Sequence, residues 1–202
     1  NQSETHFSLG FLYYEGIYVQ QDIDKAIHYF SLSANQNHIK AQFNLGIIYY
    51  NGDHVQQDID KAINYLSLAA DSNHPVAQFN LATIYYDGKY IQKDIDKAIH
   101  YFSLAAKQNH PGSLLNLGII YYNIQQDINK AIHYFSIAAN QNHPKALFNL
   151  GTIYYEGKYI TRDINKAIYY YSMASDLNDE EAQLNLGFIY YKGQYVPRDI
   201  NK

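Results

Sequence analysis

The chain has no cysteine and no tryptophan among its 202 residues, and it carries no run of basic side chains. Without cysteine there is no disulfide and no thiolate to act as nucleophile or metal ligand, which fits a reducing compartment. Fifteen Lys and Arg against nineteen Asp and Glu give a net charge of −4, and the clustered cations of a nucleic-acid footprint are missing. No apolar stretch nears the ~20 residues that cross a bilayer, so no direct membrane insertion is expected. The aromatic content of 16% is therefore Tyr and Phe, with 23 Tyr against 9 Phe.

What the chain has is a repeat. Tyr-Tyr recurs at Tyr13-Tyr14, Tyr49-Tyr50, Tyr85-Tyr86, Tyr121-Tyr122, Tyr154-Tyr155 and Tyr190-Tyr191, and Asp keeps the same beat at Asp22, Asp58, Asp94, Asp127, Asp163 and Asp199. A period of this size builds a solenoid of stacked supersecondary units. The expected array runs over 1–202, with units at 1–36, 37–72, 73–108, 109–141 and 142–177 and a half unit at 178–202. It begins and stops in mid-rhythm, with Lys202 in the first turn of an unfinished helix, and a piece of a longer protein is the expectation.

One unit shows the local code. Pro75 suits a first helical position, where its missing N–H costs nothing. Residues 77–86 hold no breaker, and Asp87-Gly88 closes the helix with Gly as a left-handed cap. Asp94 is placed as the N-cap of a second helix, along which Ile95, Ala98, Ile99, Phe102 and Ala106 form an apolar stripe. The unit is a helix–turn–helix pair. Small residues mark where the two helices approach: Gly10, Gly46, Ala82, Gly118, Gly151 and Gly187 in the first, and Ala26, Ala62, Ala98, Ala131 and Ala167 in the second. The fourth unit is three residues short around Asn123–Asp127. Two readings stay open: a shorter loop, or a mobile loop tip missing from the sequence.

The pattern Ala77-x-x-x-Leu81-Ala82-x-x-Tyr85-x-x-Gly88, the loop Val196-Pro197-Arg198-Asp199, and Asp94-x-x-Lys97-Ala98 with Ala105-Ala106 resemble the Sel-1-like repeat, a relative of the tetratricopeptide repeat with a longer loop. The resemblance covers the whole chain. It implies an all-α fold, a right-handed α-solenoid of tandem helix-turn-helix repeats, whose first helices line a concave face. It also implies an adaptor or scaffold that brings proteins together. Some secreted bacterial members staple each repeat with a Cys pair, which this chain lacks.

On the first helices, Asn44, Asn80, Asn116, Asn149 and Asn185 share one register. A carboxamide donates and accepts together, so a row of them can pair with an extended backbone. The resemblance to peptide-binding tetratricopeptide domains implies that role. The alternative is that each Asn bonds within its own repeat interface. The second Tyr of each pair (Tyr50, Tyr86, Tyr122, Tyr155) is a candidate contact or an interface residue satisfied locally, and the first is expected between the helices. Positions that vary between units are free to read a ligand. They include Ile47, Thr83, Ile119 and Thr152 with Phe11 and Phe188, the set Glu15, Asn51, Asp87, Asn123, Glu156 and Lys192, and the set Glu4, Lys40, Val76, Gly112, Lys145 and Glu181.

Nine His raise the question of metal. His38, His74, His110 and His143 lie a repeat apart, and His28, His100 and His133 a repeat or more, with no ligand spacing. Asp179-Glu180-Glu181 breaks the symmetry at a helix start, where acids favour the dipole. No catalytic set, cofactor loop or metal site is expected. The reading is a non-catalytic scaffold that binds a peptide or partner protein on its groove. Its alternatives are end-to-end self-association through Leu184 and Leu186, or a regulatory arm of a larger signalling enzyme.

Overall fold

The structure is a computed structural model and describes residues 2–193; Val196, Pro197, Arg198, Asp199 and Lys202 lie outside the described residues. Within it the chain forms eleven α-helices: α1 Gln2–Glu15, α2 Ile23–Ala34, α3 Ile39–Asn51, α4 Ile59–Asp71, α5 Pro75–Asp87, α6 Ile95–Lys107, α7 Pro111–Asn123, α8 Ile128–Asn140, α9 Pro144–Glu156, α10 Ile164–Asp176 and α11 Glu180–Lys192. They fall into two compact units, residues 1–110 with α1–α6 and residues 111–202 with α7–α11. In each, a helix packs on the helix before it and the helix after it in sequence.

The helix ends follow from short-range chemistry. Before each second helix an Asp carboxylate accepts the backbone N–H three residues on: Asp22 from Lys25, Asp58 from Lys61, Asp94 from Lys97, Asp127 from Lys130 and Asp163 from Lys166, at 2.9–3.1 Å. The N–H of the same Asp donates to the carbonyl of the first Tyr of the pair, at Tyr13, Tyr49, Tyr85, Tyr121 and Tyr154. Loop and cap are thereby fastened together. The first helices end on Gly16, Gly52, Gly88, Gly157 and Gly193, all at φ between 58° and 71°, where a side chain would be strained. The second helices are followed by Asn37, Asn73, Asn109, Asn142 and Asn178, also left-handed. Asn is the non-glycine residue that best tolerates that conformation.

The short fourth loop closes without a gap. Ile124 and Gln125 donate to the Ile120 carbonyl, Gln126 takes φ 53° in place of a Gly, and Asp127 still reaches Tyr121 at 2.8 Å. Three fewer residues leave the Asp127 cap of α8 in place.

The core of each pair is built from the second-helix stripe and the small residues of the first helix. Ala98, Phe102 and Ala105 are fully buried in α6, as are Leu66 in α4 and Phe30 in α2. Ile95 and Ile99 are half-buried at the edge. A Cβ added at Gly10 would sit 2.6 Å from Phe30, at Gly46 2.7 Å from Leu66, at Gly118 2.4 Å from Phe135 and at Gly151 2.6 Å from Tyr171. The first Tyr of each pair is half-buried rather than core. It stacks on a Tyr of the second helix (Tyr13 on Tyr29, Tyr49 on Tyr65, Tyr85 on Tyr101, Tyr121 on Tyr134, Tyr154 on Tyr170) with the rings within 10° of parallel. The Lys of the Asp-capped turn lies over its other face, about 5 Å from the ring centre.

Candidate partner-binding clefts

Where two successive first helices run beside one second helix, a cleft opens, and its lining repeats by register. In the first unit, Phe11, Tyr14 and Glu15 of α1 face Phe43, Asn44, Ile47 and Ile48 of α3 across Phe30, enclosing 260 Å³. One repeat on, Ile47, Tyr50 and Asn51 of α3 face Phe79, Asn80, Thr83 and Ile84 of α5 across Leu66, enclosing 210 Å³. In the second unit, Tyr155 of α9 faces Asn185, Phe188 and Lys192 of α11 across Tyr171, enclosing 190 Å³. A cavity of roughly 150 Å³ accepts a benzene ring, so each cleft has room for a bulky side chain.

The expected site residues converge unevenly. Asn44, Asn80, Ile47, Tyr50 and Thr83 line the two clefts of the first unit, which share Ile47. Tyr155 and Asn185 line the cleft of the second. Asn116, Ile119, Asn149 and Thr152 are half-buried in the same register without lining one of these clefts, as is Tyr86. Tyr122 spends its hydroxyl on Glu156 Oε2, 2.8 Å away. Burial raises its pKa far above the usual tyrosine value, and the Glu156 charge adds to the shift. Thr83 and Thr152 bond back to the carbonyls of Phe79 and Phe148, and Thr152 also meets the Tyr171 hydroxyl at 3.1 Å.

The amides divide in the same way. Asn185 shares a hydrogen bond with Tyr171. Among the described residues no side-chain hydrogen bond engages Asn44, Asn80, Asn116 or Asn149, although all four are half-buried. A half-buried carboxamide that lacks a protein partner keeps its full donor and acceptor capacity.

The sequence reading missed the floors of the clefts. Phe30, Leu66 and Tyr171 belong to second helices and read there as core stripe, yet each is also the wall a guest would meet. It also missed a task for histidine. His38 and His74 are N-caps: His38 Nδ1 accepts from the Ala41 N–H at 3.2 Å, and His74 Nδ1 from the Ala77 N–H at 3.1 Å. Their rings stack on Phe7 and Phe43, 4.6 and 4.8 Å between centres. At the same register Asp179 caps α11 through Ala182 at 3.0 Å and, with Glu181, pairs with Lys145 at 3.2 Å. The variable set that holds Glu4, Lys145 and Glu181 thus links repeats to each other, since Glu4 likewise meets His38. Leu184 is exposed and Leu186 half-buried. Among the described residues no three His, Asp or Glu side chains converge as a metal site, and no helix is long and apolar enough to cross a membrane.

Repeated helix pairs with left-handed Gly closures and Asp caps define an α-solenoid. The Sel1 repeat model matches residues 3–38, 39–74, 75–110, 112–143, 144–179 and 180–202, and the chain belongs to the Sel1 repeat family. It is similar to a solved protective antigen of uropathogenic Escherichia coli, at 32% identity and a TM-score of 0.82 over 98% of this chain and 43% of that one. It is also similar to a Sel1 repeat protein from Oxalobacter formigenes, at 31% identity and a TM-score of 0.78 over the whole of this chain and 84% of that one. The fold extends to a Sel1 repeat protein of Klebsiella pneumoniae at 18% identity and a TM-score of 0.52, over 93% of this chain and 92% of that one. This chain therefore spans less than half the length of the Escherichia coli antigen. Comparison with curated proteins finds no match. Sel1 repeat proteins are generally protein-interaction scaffolds that bind other proteins, and they are typically non-catalytic.

Proposed function

We propose that this chain is a non-catalytic scaffold that takes an extended segment of a partner protein along its first helices. Bulky apolar side chains of that segment enter the clefts, and its main chain pairs with the Asn row. The observation that carries this reading is the recurrence of one cleft, with its half-buried and unbonded carboxamides at Asn44 and Asn80 beside apolar walls. An amide in that setting pairs with any peptide backbone, while the variable neighbours Phe11, Ile47 and Thr83 set which side chains fit. A peptide that meets both clefts of the first unit gains from the second anchor at the effective concentration set by the first.

The test uses peptides selected from a displayed random library against the 202-residue chain. The double variant Asn44→Ala/Asn80→Ala is expected to keep its helical circular dichroism and thermal midpoint while losing at least about tenfold in affinity, the sum of two hydrogen bonds of ordinary net strength. Selected peptides that bind the double variant as tightly as the parent overturn the groove reading.

A further inference from the structure

Asn80 and Thr83 reach their cleft from the second and third turns of α5, and the start of that helix is held by a histidine. We propose that His74 is an acid-sensitive cap: protonation of Nδ1 removes the acceptor for the Ala77 N–H, loosens the first turn of α5 and weakens the cleft that Phe79, Asn80 and Thr83 line. The proposal rests on the reading of that cleft as a partner site, and it adds the regulation of that site.

The geometry leaves His74 one way to serve as a cap. Its backbone is extended at φ −82° and ψ 111°, the N-cap conformation. The ring lies against Phe43, tilted 25° from it, with Nδ1 aimed at Ala77. A nitrogen that accepts from a backbone N–H must be unprotonated. Once protonated it meets the N–H as a second donor, and it puts a cation at the positive end of the helix dipole. The charged group that faces the ring is Lys40 of α3; α4 and α5 bring no carboxylate to it among the described residues. Burial, with Lys40 adding to it, holds the His74 pKa below the ordinary histidine value. For a group whose folded pKa is lowered, the stabilisation is complete above the unfolded value of about 6.5 and is lost as the pH falls below it, through the folded pKa.

Three other residues at this register set the contrast. His38 makes the same cap, but its Nε2 lies 2.9 Å from Glu4 Oε2, and that carboxylate offsets the charge of a protonated ring. Asp179 caps α11 with a carboxylate oxygen, where His74 uses a ring nitrogen. His143 has a buried Nδ1 with no bond to its helix, which confines the device to helices where the ring reaches the first turn.

The test follows amide protection in the 202-residue chain, corrected for intrinsic exchange, at about pH 8 and about pH 5, on either side of the histidine range. Protection at Ala77 is expected to fall about fivefold, the effect of losing one side-chain cap, and His74→Asp is expected to hold the change under about twofold. The Ala77 amide resonance of the parent protein should titrate together with the His74 ring, a readout that needs no variant. An Ala77 amide that stays still while His74 titrates, or equal acid sensitivity in His74→Asp, overturns the switch. A moving amide with unchanged affinity for a selected peptide overturns its link to the cleft. The cleft reading itself stands or falls separately, on the Asn44→Ala/Asn80→Ala comparison at the higher pH.

Discussion

Among the described residues five aspartates hold one register, and each does two things at once. The carboxylate of Asp58 accepts from Lys61, and its own N–H is bound by Tyr49, so the residue closes a loop and starts a helix. The hydrogen bond from the Lys61 N–H, then the Lys61 side chain, holds the Asp58 carboxyl below the usual range. Asp22 and Asp127 are held low by the same leading cause, the N–H of Lys25 and of Lys130. A carboxylate with a depressed folded pKa contributes stability that is present above the unfolded value of about 3.9 and is lost as the pH falls through the folded one. Asp58→Ala should therefore melt earlier than the parent at neutral pH, and the difference should shrink progressively as the pH falls below the unfolded value of about 3.9. Asp58→Asn should keep the cap with a flatter acid limb. Thermal unfolding followed by circular dichroism at several pH values checks both. The Asp–Lys ion pairs at 3.0–3.8 Å are solvent-exposed, and such pairs add little.

At the scale of the helix pair, close approach is the main constraint. In four first helices a glycine lies against a large residue of the second helix: Gly10, Gly46, Gly118 and Gly151. The tightest case is Gly118, where an added methyl would sit 2.4 Å from the Phe135 ring. Gly118→Ala gains helix propensity but forces that ring to move, and the overpacking should dominate, with a net loss of about 1–3 kcal/mol. Urea denaturation measures it, and Phe135→Leu in the same chain should recover part of the loss. The third unit carries Ala82, fully buried, at this position. A single methyl is therefore compatible with the fold when the surrounding side chains have adjusted to it.

In the molecule as a whole, stability is local. Within each of the two units the main packing among the described residues joins helices adjacent in sequence, the pattern in which repeats and nearest-neighbour interfaces add. Leu66 is fully buried, floors a cleft and packs under Gly46. Leu66→Ala should cost about 2–5 kcal/mol. Hydrogen exchange by mass spectrometry should show the loss of protection first in α3, α4 and α5, with α9 and α10 affected least. A uniform loss over all helices would show that the chain unfolds as one cooperative body.

The repeat, the helix pairs, their Asp and Gly caps and most of the places of close approach are legible in the linear chain; Gly187 meets nothing within 4 Å among the described residues. They are set by hydrogen bonds spanning three or four residues and by the period at which small and apolar side chains recur. Packing between helices decides something else, namely which members of a register share a task. Asn44 and Asn80 stand unbonded beside clefts while Asn185, beside another, is bonded to Tyr171, and Tyr50 lines a cleft while Tyr122 is tied to Glu156. Identical residues diverge because their partners lie in another helix, 14 positions away for Asn185 and Tyr171 and 34 for Tyr122 and Glu156, where one substitution changes what they meet. The histidine caps are hidden from a linear reading for a related reason. An imidazole can donate, accept or bind metal, and only its placement against Phe43 and the Ala77 N–H selects among the three.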